Sequence, residues 1–162
     1  MKTVYLALGT NLGNREKHLH DALDKISEWV TLERVSSVYE THTPRTREQT
    51  PSLNLVCAGK TDLTPVNLLR HCRRIEKEIG RADGLRSYPR PIDIDILLYD
   101  NLIELSPALT IPHPRMHERA FVLVPLNEIA PTLVHPRLRA TIRQLLANLA
   151  SPEKVRLIKP FE

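Results

Sequence analysis

The sequence predicts an α+β fold: a ferredoxin-like βαββαβ core with an antiparallel sheet and helices packed on it, three layers in the order α/β/α. Three observations predict it. Strand-like and helix-like periodicities follow one another in the order β-α-β-β-α-β. The strand after the second helix sets isoleucines on one face and carboxylates on the other, as a half-buried strand does. The 162 residues, 41% hydrophobic and 26% charged, are enough for one core, so residues 1–162 are expected to form a single domain.

Each element has its own signal. Residues 3–9 alternate and read as the first strand. Gly9-Thr10-Asn11-Leu12-Gly13-Asn14 follows as a turn with capping residues. A helix is expected over 15–28, where Leu19, Ala22, Leu23 and Ile26 share one stripe. Residues 33–39 and 53–60 read as strands. Thr64-Pro65 is an N-cap followed by proline at the first helical position. That helix carries Leu68, Cys72, Ile75 and Ile79 on one face, and Gly80 is expected to cap its end. The next strand spans 92–99. Two short strands near 102–105 and 108–111 read as a small hairpin, and a short helix is expected from about Met116. A last helix over 140–149 turns Ile142, Leu145, Leu146 and Leu149 inward, and a terminal strand is expected near 155–158. Segments 40–52 and 80–91 fit no element. Both are polar and proline-bearing, and loops this long in a compact domain are often functional lids.

Composition narrows the function classes. The net charge of +4 and pI of about 9.3 permit polyanionic ligands. Sixteen of the 23 basic residues are arginine, whose planar fork suits bidentate phosphate contacts. They form no run of the kind that marks a nucleic-acid patch, and an aromatic content of 4% argues against a base-stacking RNA module. Cys57 and Cys72 lack zinc-ligand spacing and read as buried free thiols of a reducing compartment. The N-terminal apolar run is too short for a signal peptide or a membrane span. A cytoplasmic monomer with neither membrane nor nucleic-acid partners is expected.

The clearest chemical signal is Pro89-Arg90-Pro91-Ile92-Asp93-Ile94-Asp95-Ile96-Leu97-Leu98-Tyr99. Side chains at i and i+2 of a strand share a face, about 7 Å apart. Ile92, Ile94 and Ile96 take the core side, and Asp93 and Asp95 share the other. Two carboxylates roughly 6 Å apart repel by about 3 kcal/mol at an effective dielectric near 20, and a cation between them reverses the sign. Hard oxygen ligands suit Mg²⁺, which takes one or two protein carboxylates and completes its shell with water and substrate phosphates. Arg81, Arg86 and Arg90 upstream add phosphate-binding groups. On spacing alone, the alternative is an ordinary solvated strand face.

Other patterns say less. The Gly9–Asn14 loop lacks the P-loop lysine and the G-x-G-x-x-G spacing, and reads as a helix cap. Pro112 and Pro114 place His113 ahead of any helix, so His113 and His117 do not form a zinc motif. Polar ligand contacts from His113 and Arg119 fit better. His18, His20, His42, His71 and His135 carry no pattern and are expected at the surface. The residues thus point to a Mg²⁺-dependent enzyme acting on phosphates, with arginine-bearing lids.

The stretch Pro89–Leu97 resembles the signature of the 6-hydroxymethyl-7,8-dihydropterin pyrophosphokinases of folate biosynthesis. Further ordered matches are Leu6-Ala7-Leu8-Gly9-Thr10-Asn11-Leu12-Gly13, the Leu53-Asn54 pair, Arg74-Ile75-Glu76 with Gly80-Arg81, and Ile111-Pro112-His113 with Arg119-Ala120-Phe121 and Pro125-Leu126. The resemblance covers nearly the whole chain. It implies transfer of pyrophosphate from ATP to the hydroxymethyl group of the reduced pterin, with release of AMP. By the same resemblance, Asp93 and Asp95 would bind two Mg²⁺ ions, and Arg81 and Arg90 would clamp the phosphates and stabilise the transition state. His113 and Arg119 would contact the triphosphate, and the backbone near Ile96 would hold the adenine. Asn54 would read the pterin edge, with backbone help near Thr43 and Pro44, and Phe121 would stack on the ring. Asp95 would accept the hydroxyl proton.

Three positions depart from the family's pattern. Ser52 stands where an aromatic residue often precedes the Leu-Asn pair. Ser87, beside Tyr88, stands at a lid position often held by tryptophan. Pro114 replaces an aromatic residue after the histidine. A lost stacking partner would weaken the pterin site by on the order of 1 kcal/mol. The competing enzyme class, a Mg²⁺-dependent phosphohydrolase, would use the same two aspartates.

Overall fold

The computed structural model describes residues 1–42, 51–82, 91–150 and 154–161. Strand β1 (Lys2–Thr10) buries Val4, Leu6, Leu8 and Thr10 at every second position. Helix α1 (Arg15–Ile26) starts at Asn14, whose side chain accepts the Lys17 N–H, so the Gly9–Asn14 loop does cap a helix. Then come β2 (Thr31–Val35), β3 (Val38–Thr41), β4 (Ser52–Thr61), helix α2 (Pro65–Ala82) and β5 (Asp93–Tyr99). A short hairpin of β6 (Glu104–Leu105) and β7 (Thr110–Ile111) leads to a 3₁₀ turn at Met116–Glu118. Helices α3 (Ala120–Ile129) and α4 (Ile142–Ala147) and strand β8 (Val155–Lys159) complete the chain.

Among the described residues the main sheet has six strands in the order β5-β1-β4-β3-β8, with β2 also on β4, and each of these pairings is antiparallel. Two apolar clusters lie on its opposite faces. Val4, Leu6 and Leu8 of β1 join Ile94 and Ile96 of β5 beneath α1 and α2, with Leu19, Ile26, Leu68 and Ile75. Tyr5 and Ala7 of β1 face the second cluster, built from Val56, Leu97, Leu123, Leu126 and Ile142 beneath α3 and α4. Helices therefore cover both faces. Cys57 and Cys72 are buried free thiols as expected, and burial pushes both up to about 12, keeping them protonated.

Four expectations change. The strand read over 33–39 is two strands, because Ser36 interrupts it. Ser36 is buried, its N–H donates to the Val56 carbonyl, and its Oγ accepts the Val56 N–H. Helix α2 does not stop at Gly80 but runs to Ala82. The short helix near Met116 is a single 3₁₀ turn, followed by a ten-residue helix, α3, that holds Pro125 in its interior. His18 and His135 are buried rather than at the surface. His18 Nδ1 lies 3.3 Å from the Thr10 hydroxyl, and His135 Nδ1 accepts the backbone N–H groups of Arg137 and Leu138.

Candidate functional site

The register of three strands builds the floor of a cleft. Gly9 of β1 lies opposite Asp93 on one side and Asn54 on the other, and Ala7 lies opposite Asp95 and Val56. The smallest side chains of β1 thus separate the carboxylates from the amide, and this leaves a hollow at that end of the sheet. From above, Arg119 and Phe121 at the start of α3 line the same cleft, with Ser52, Thr10 and Asn11 at its rim. Its volume is about 210 Å³. That is below the roughly 300–1,000 Å³ that encloses a drug-sized ligand, so it suits one ring system with charged groups beyond it.

Asp93 and Asp95 are exposed and half-buried on the cleft face, while Ile92, Ile94 and Ile96 are buried on the other, as the alternation required. Thr10 ties the entry of this strand to β1 by donating its hydroxyl to the Pro91 carbonyl. His113 reaches the same place from β7. Its backbone N–H donates to the Leu97 carbonyl at 2.9 Å, and its Nε2 lies 3.9 Å from Asp95 Oδ2. Nδ1 accepts the Arg115 N–H at 3.2 Å, which assigns the proton to Nε2, on the Asp95 side. Burial pulls the His113 imidazole below its ordinary pKa, Asp95 opposes that shift, and Arg119 and Arg115 add to it. The ring is therefore a neutral donor at pH 7.

Asn54 is only 7% exposed. Its Oδ1 accepts the Thr41 hydroxyl at 2.8 Å, which leaves the amide NH₂ as its group for a ligand. That NH₂ sits so close to Gly9 that a Cβ there would lie 3.0 Å away. Arg119 places its guanidinium 5.5 Å from the centre of the Phe121 ring. Phe121 is the one aromatic residue among the described residues lining the cleft, and Ser52 offers no second ring.

Two of the remaining expected residues, Arg81 and Ile96, do not turn their side chains into the cleft. Arg81 is at the exposed end of α2, in a separate groove with Arg70, Arg74 and Lys77, and the structure does not bring it into the cleft. Ile96 turns its side chain into the core. Thr43, Pro44, Arg90 and the lid positions Arg86, Ser87 and Tyr88 lie outside the described residues. Thr41 and Gly9 were not read as site residues in the sequence. Only the pairing of β1, β3 and β4 reveals that one orients Asn54 and the other makes room for it.

Among the described residues no three His, Cys, Asp or Glu side chains gather to enclose a metal ion. Two strand carboxylates with an open side fit a hard cation that keeps water and phosphate oxygens in its shell. They do not fit a closed zinc site.

The chain is similar to known proteins. The family model for 7,8-dihydro-6-hydroxymethylpterin-pyrophosphokinase (HPPK) matches residues 5–131. The 2-amino-4-hydroxy-6-hydroxymethyldihydropteridine pyrophosphokinase of Haemophilus influenzae is 41% identical over 159 residues, 97% of this chain and 99% of that protein. The protein of the same name from Aquifex aeolicus is 38% identical over 161 residues, 99% of this chain and 96% of that one. A folic acid synthesis protein of Dictyostelium discoideum is 39% identical over 97% of this chain, which spans only 24% of that longer protein. Among solved structures, Plasmodium falciparum HPPK-DHPS superposes with a TM-score of 0.72 at 18% identity, over 90% of this chain and 44% of that one, a likeness of fold.

Proposed function

The chain belongs to the 7,8-dihydro-6-hydroxymethylpterin-pyrophosphokinase family, and from that premise we propose that it transfers pyrophosphate from ATP to the hydroxymethyl group of 6-hydroxymethyl-7,8-dihydropterin, releasing AMP. The observation that carries this reading is the single cleft where Asn54, Asp93, Asp95, Arg119 and Phe121 meet from three separate stretches of sequence. An aromatic face and an oriented amide suit a flat heterocycle with polar edges. Two carboxylates beside an arginine and a neutral imidazole suit a metal-bound triphosphate.

In this reading the pterin stacks on Phe121 and its edge accepts the Asn54 NH₂, with backbone groups near Thr43 and Pro44 completing the pocket. His113 and Arg119 donate to triphosphate oxygens. Arg81 and Arg90 clamp the phosphates, and the backbone near Ile96 holds the adenine. Asp93 and Asp95 hold Mg²⁺, two ions in all, which when bound neutralise phosphate charge and polarise the transferred group. Asp95 accepts the proton of the pterin hydroxyl. Phosphoryl-type transfer depends on positioning and charge stabilisation more than on covalent chemistry.

Several further traits belong to the same reading: one domain over residues 1–162, a ferredoxin-like core and a monomeric cytoplasmic protein. The element order and the β5-β1-β4-β3 sheet path support the ferredoxin-like description. No helix among the described residues is long and apolar enough to cross a membrane.

The test is AMP formation from ATP with and without the pterin. A pyrophosphokinase gives AMP only when the pterin is present. Phosphate release from ATP alone, unchanged by the pterin, would establish the phosphohydrolase instead.

A further inference from the structure

We propose that Arg73 and Glu76 of α2 are positioning residues that clamp the aspartate strand at the peptide between its two carboxylates. Among the described residues, strand β5 is an edge of the six-stranded sheet. An edge strand directs every second backbone N–H and C=O away from the ladder. At Ile94 those groups are held by α2: its N–H donates to Glu76 Oε2 at 2.8 Å, and its carbonyl accepts from Arg73 Nη1 at 3.0 Å. The same Nη1 is 2.8 Å from Glu76 Oε2, so the two side chains brace each other. By the alternation of an antiparallel ladder, Asp93 and Asp95, opposite Gly9 and Ala7, turn their own backbone groups toward β1. Residues 93 to 95 are thus fixed from both sides, the outer two by β1 and the middle one by α2.

Glu76 is 2% exposed. A buried carboxylate is costly unless it is paired and hydrogen-bonded. Apolar side chains would cover this edge at lower cost but would leave Ile94 without partners. The inference rests on reading Asp93 and Asp95 as holding Mg²⁺ and triphosphate. Groups that hold a metal act well only when the residues behind them prevent drift.

The test compares wild type with Glu76→Ala, Glu76→Gln, Arg73→Met and Asp95→Ala. Calorimetry gives the Kd for ATP without pterin, in the presence and absence of Mg²⁺, and the Kd for the pterin. Amide exchange at Ile94 is followed by NMR in the metal-free protein. Glu76→Ala is expected to accelerate Ile94 exchange, and Glu76→Ala and Arg73→Met to weaken Mg²⁺-dependent ATP binding about tenfold. Mg²⁺-free ATP binding and pterin binding stay at wild-type values. Glu76→Gln keeps an acceptor for the Ile94 N–H and is expected to recover most of both losses. Parallel loss of all three affinities would show a merely structural role and overturn the clamp. Arg73 is 41% exposed, so Arg73→Met decides the matter if Glu76→Ala does not fold. Wild-type Mg²⁺-dependent binding in Asp95→Ala would sink the metal reading and the clamp with it. Loss there, without loss in Arg73→Met, would sink the clamp alone.

Discussion

Thr41 shows how a residue that meets no substrate in the proposed pose governs one that does. Its hydroxyl occupies Asn54 Oδ1 and so decides which end of the amide faces the cleft. Thr41→Val keeps the shape and removes the donor. It is expected to raise the pterin Kd about five- to tenfold, the worth of one hydrogen bond near 1 kcal/mol, while leaving the Kd for ATP unchanged. Calorimetry with each ligand checks this. His135 plays a purely structural part. Burial, with His117 and Arg137 nearby, pulls its imidazole below the ordinary value, and its Nδ1 must stay unprotonated to accept two backbone N–H groups. The folded state therefore binds this proton less readily than the unfolded chain. The stability it confers is complete above the ordinary histidine pKa and is lost as pH falls through the lowered one. Urea midpoints at pH 7.5 and 5.5 should show a loss on acidification that shrinks in His135→Asn, with His113 responsible for part of the remainder. An undiminished loss in His135→Asn would remove His135 from the account.

At the scale of elements, β4 carries the architecture, since β1, β2 and β3 all pair with it. At Gly59 the edge formed by β2 comes so close that a Cβ would run into the Thr31 carbonyl and the Val30 side chain. The β2 register also shifts there, between Leu32 and Arg34. Gly59→Ala is expected to cost about 1–3 kcal/mol through overpacking, measurable as a lower denaturant midpoint at unchanged m-value. A wild-type midpoint would show that β2 yields freely. Elements with a polar face were the legible ones. The stripe of α1, the isoleucines of β5 and the Thr64-Pro65 start all appear where the sequence placed them, with the Asn67 N–H donating to Thr64 Oγ1. Helix α3 was harder to read because it lies between the sheet and α4 and buries Ala120, Val122, Leu123, Pro125, Leu126 and Ile129. A helix apolar nearly all round shows no stripe, and Pro125 with two valines argues locally against helix. The break at Ser36 was illegible for another reason: a buried serine that bonds to Val56 across the sheet looks in sequence like any polar residue in a strand.

On the scale of the whole molecule, the two faces of the sheet divide the work. The face under α1 and α2 is a closed apolar core that fixes the aspartate strand from behind. The face under α3 and α4 is closed by apolar packing around Leu97, Leu123 and Leu126, but opens at the Gly9 end into the cleft. The sequence made the aspartates, Asn54, Arg119 and Phe121 legible as separate motifs. It could not show that Gly9 and Ala7 set the gap between them, because that depends on which strands are neighbours. Nor did it place Arg81, which stands apart from the cleft on the end of α2. The central claim is that this open end is a site for metal-bound triphosphate, organised by Asp93 and Asp95. Its most direct test is AMP production from ATP and 6-hydroxymethyl-7,8-dihydropterin by wild type and Asp95→Ala across a Mg²⁺ titration. The account predicts a rate at least about 100-fold lower for Asp95→Ala, the scale on which a residue that stabilises developing charge acts, with no recovery at high Mg²⁺. Equal AMP production by the two proteins would contradict it.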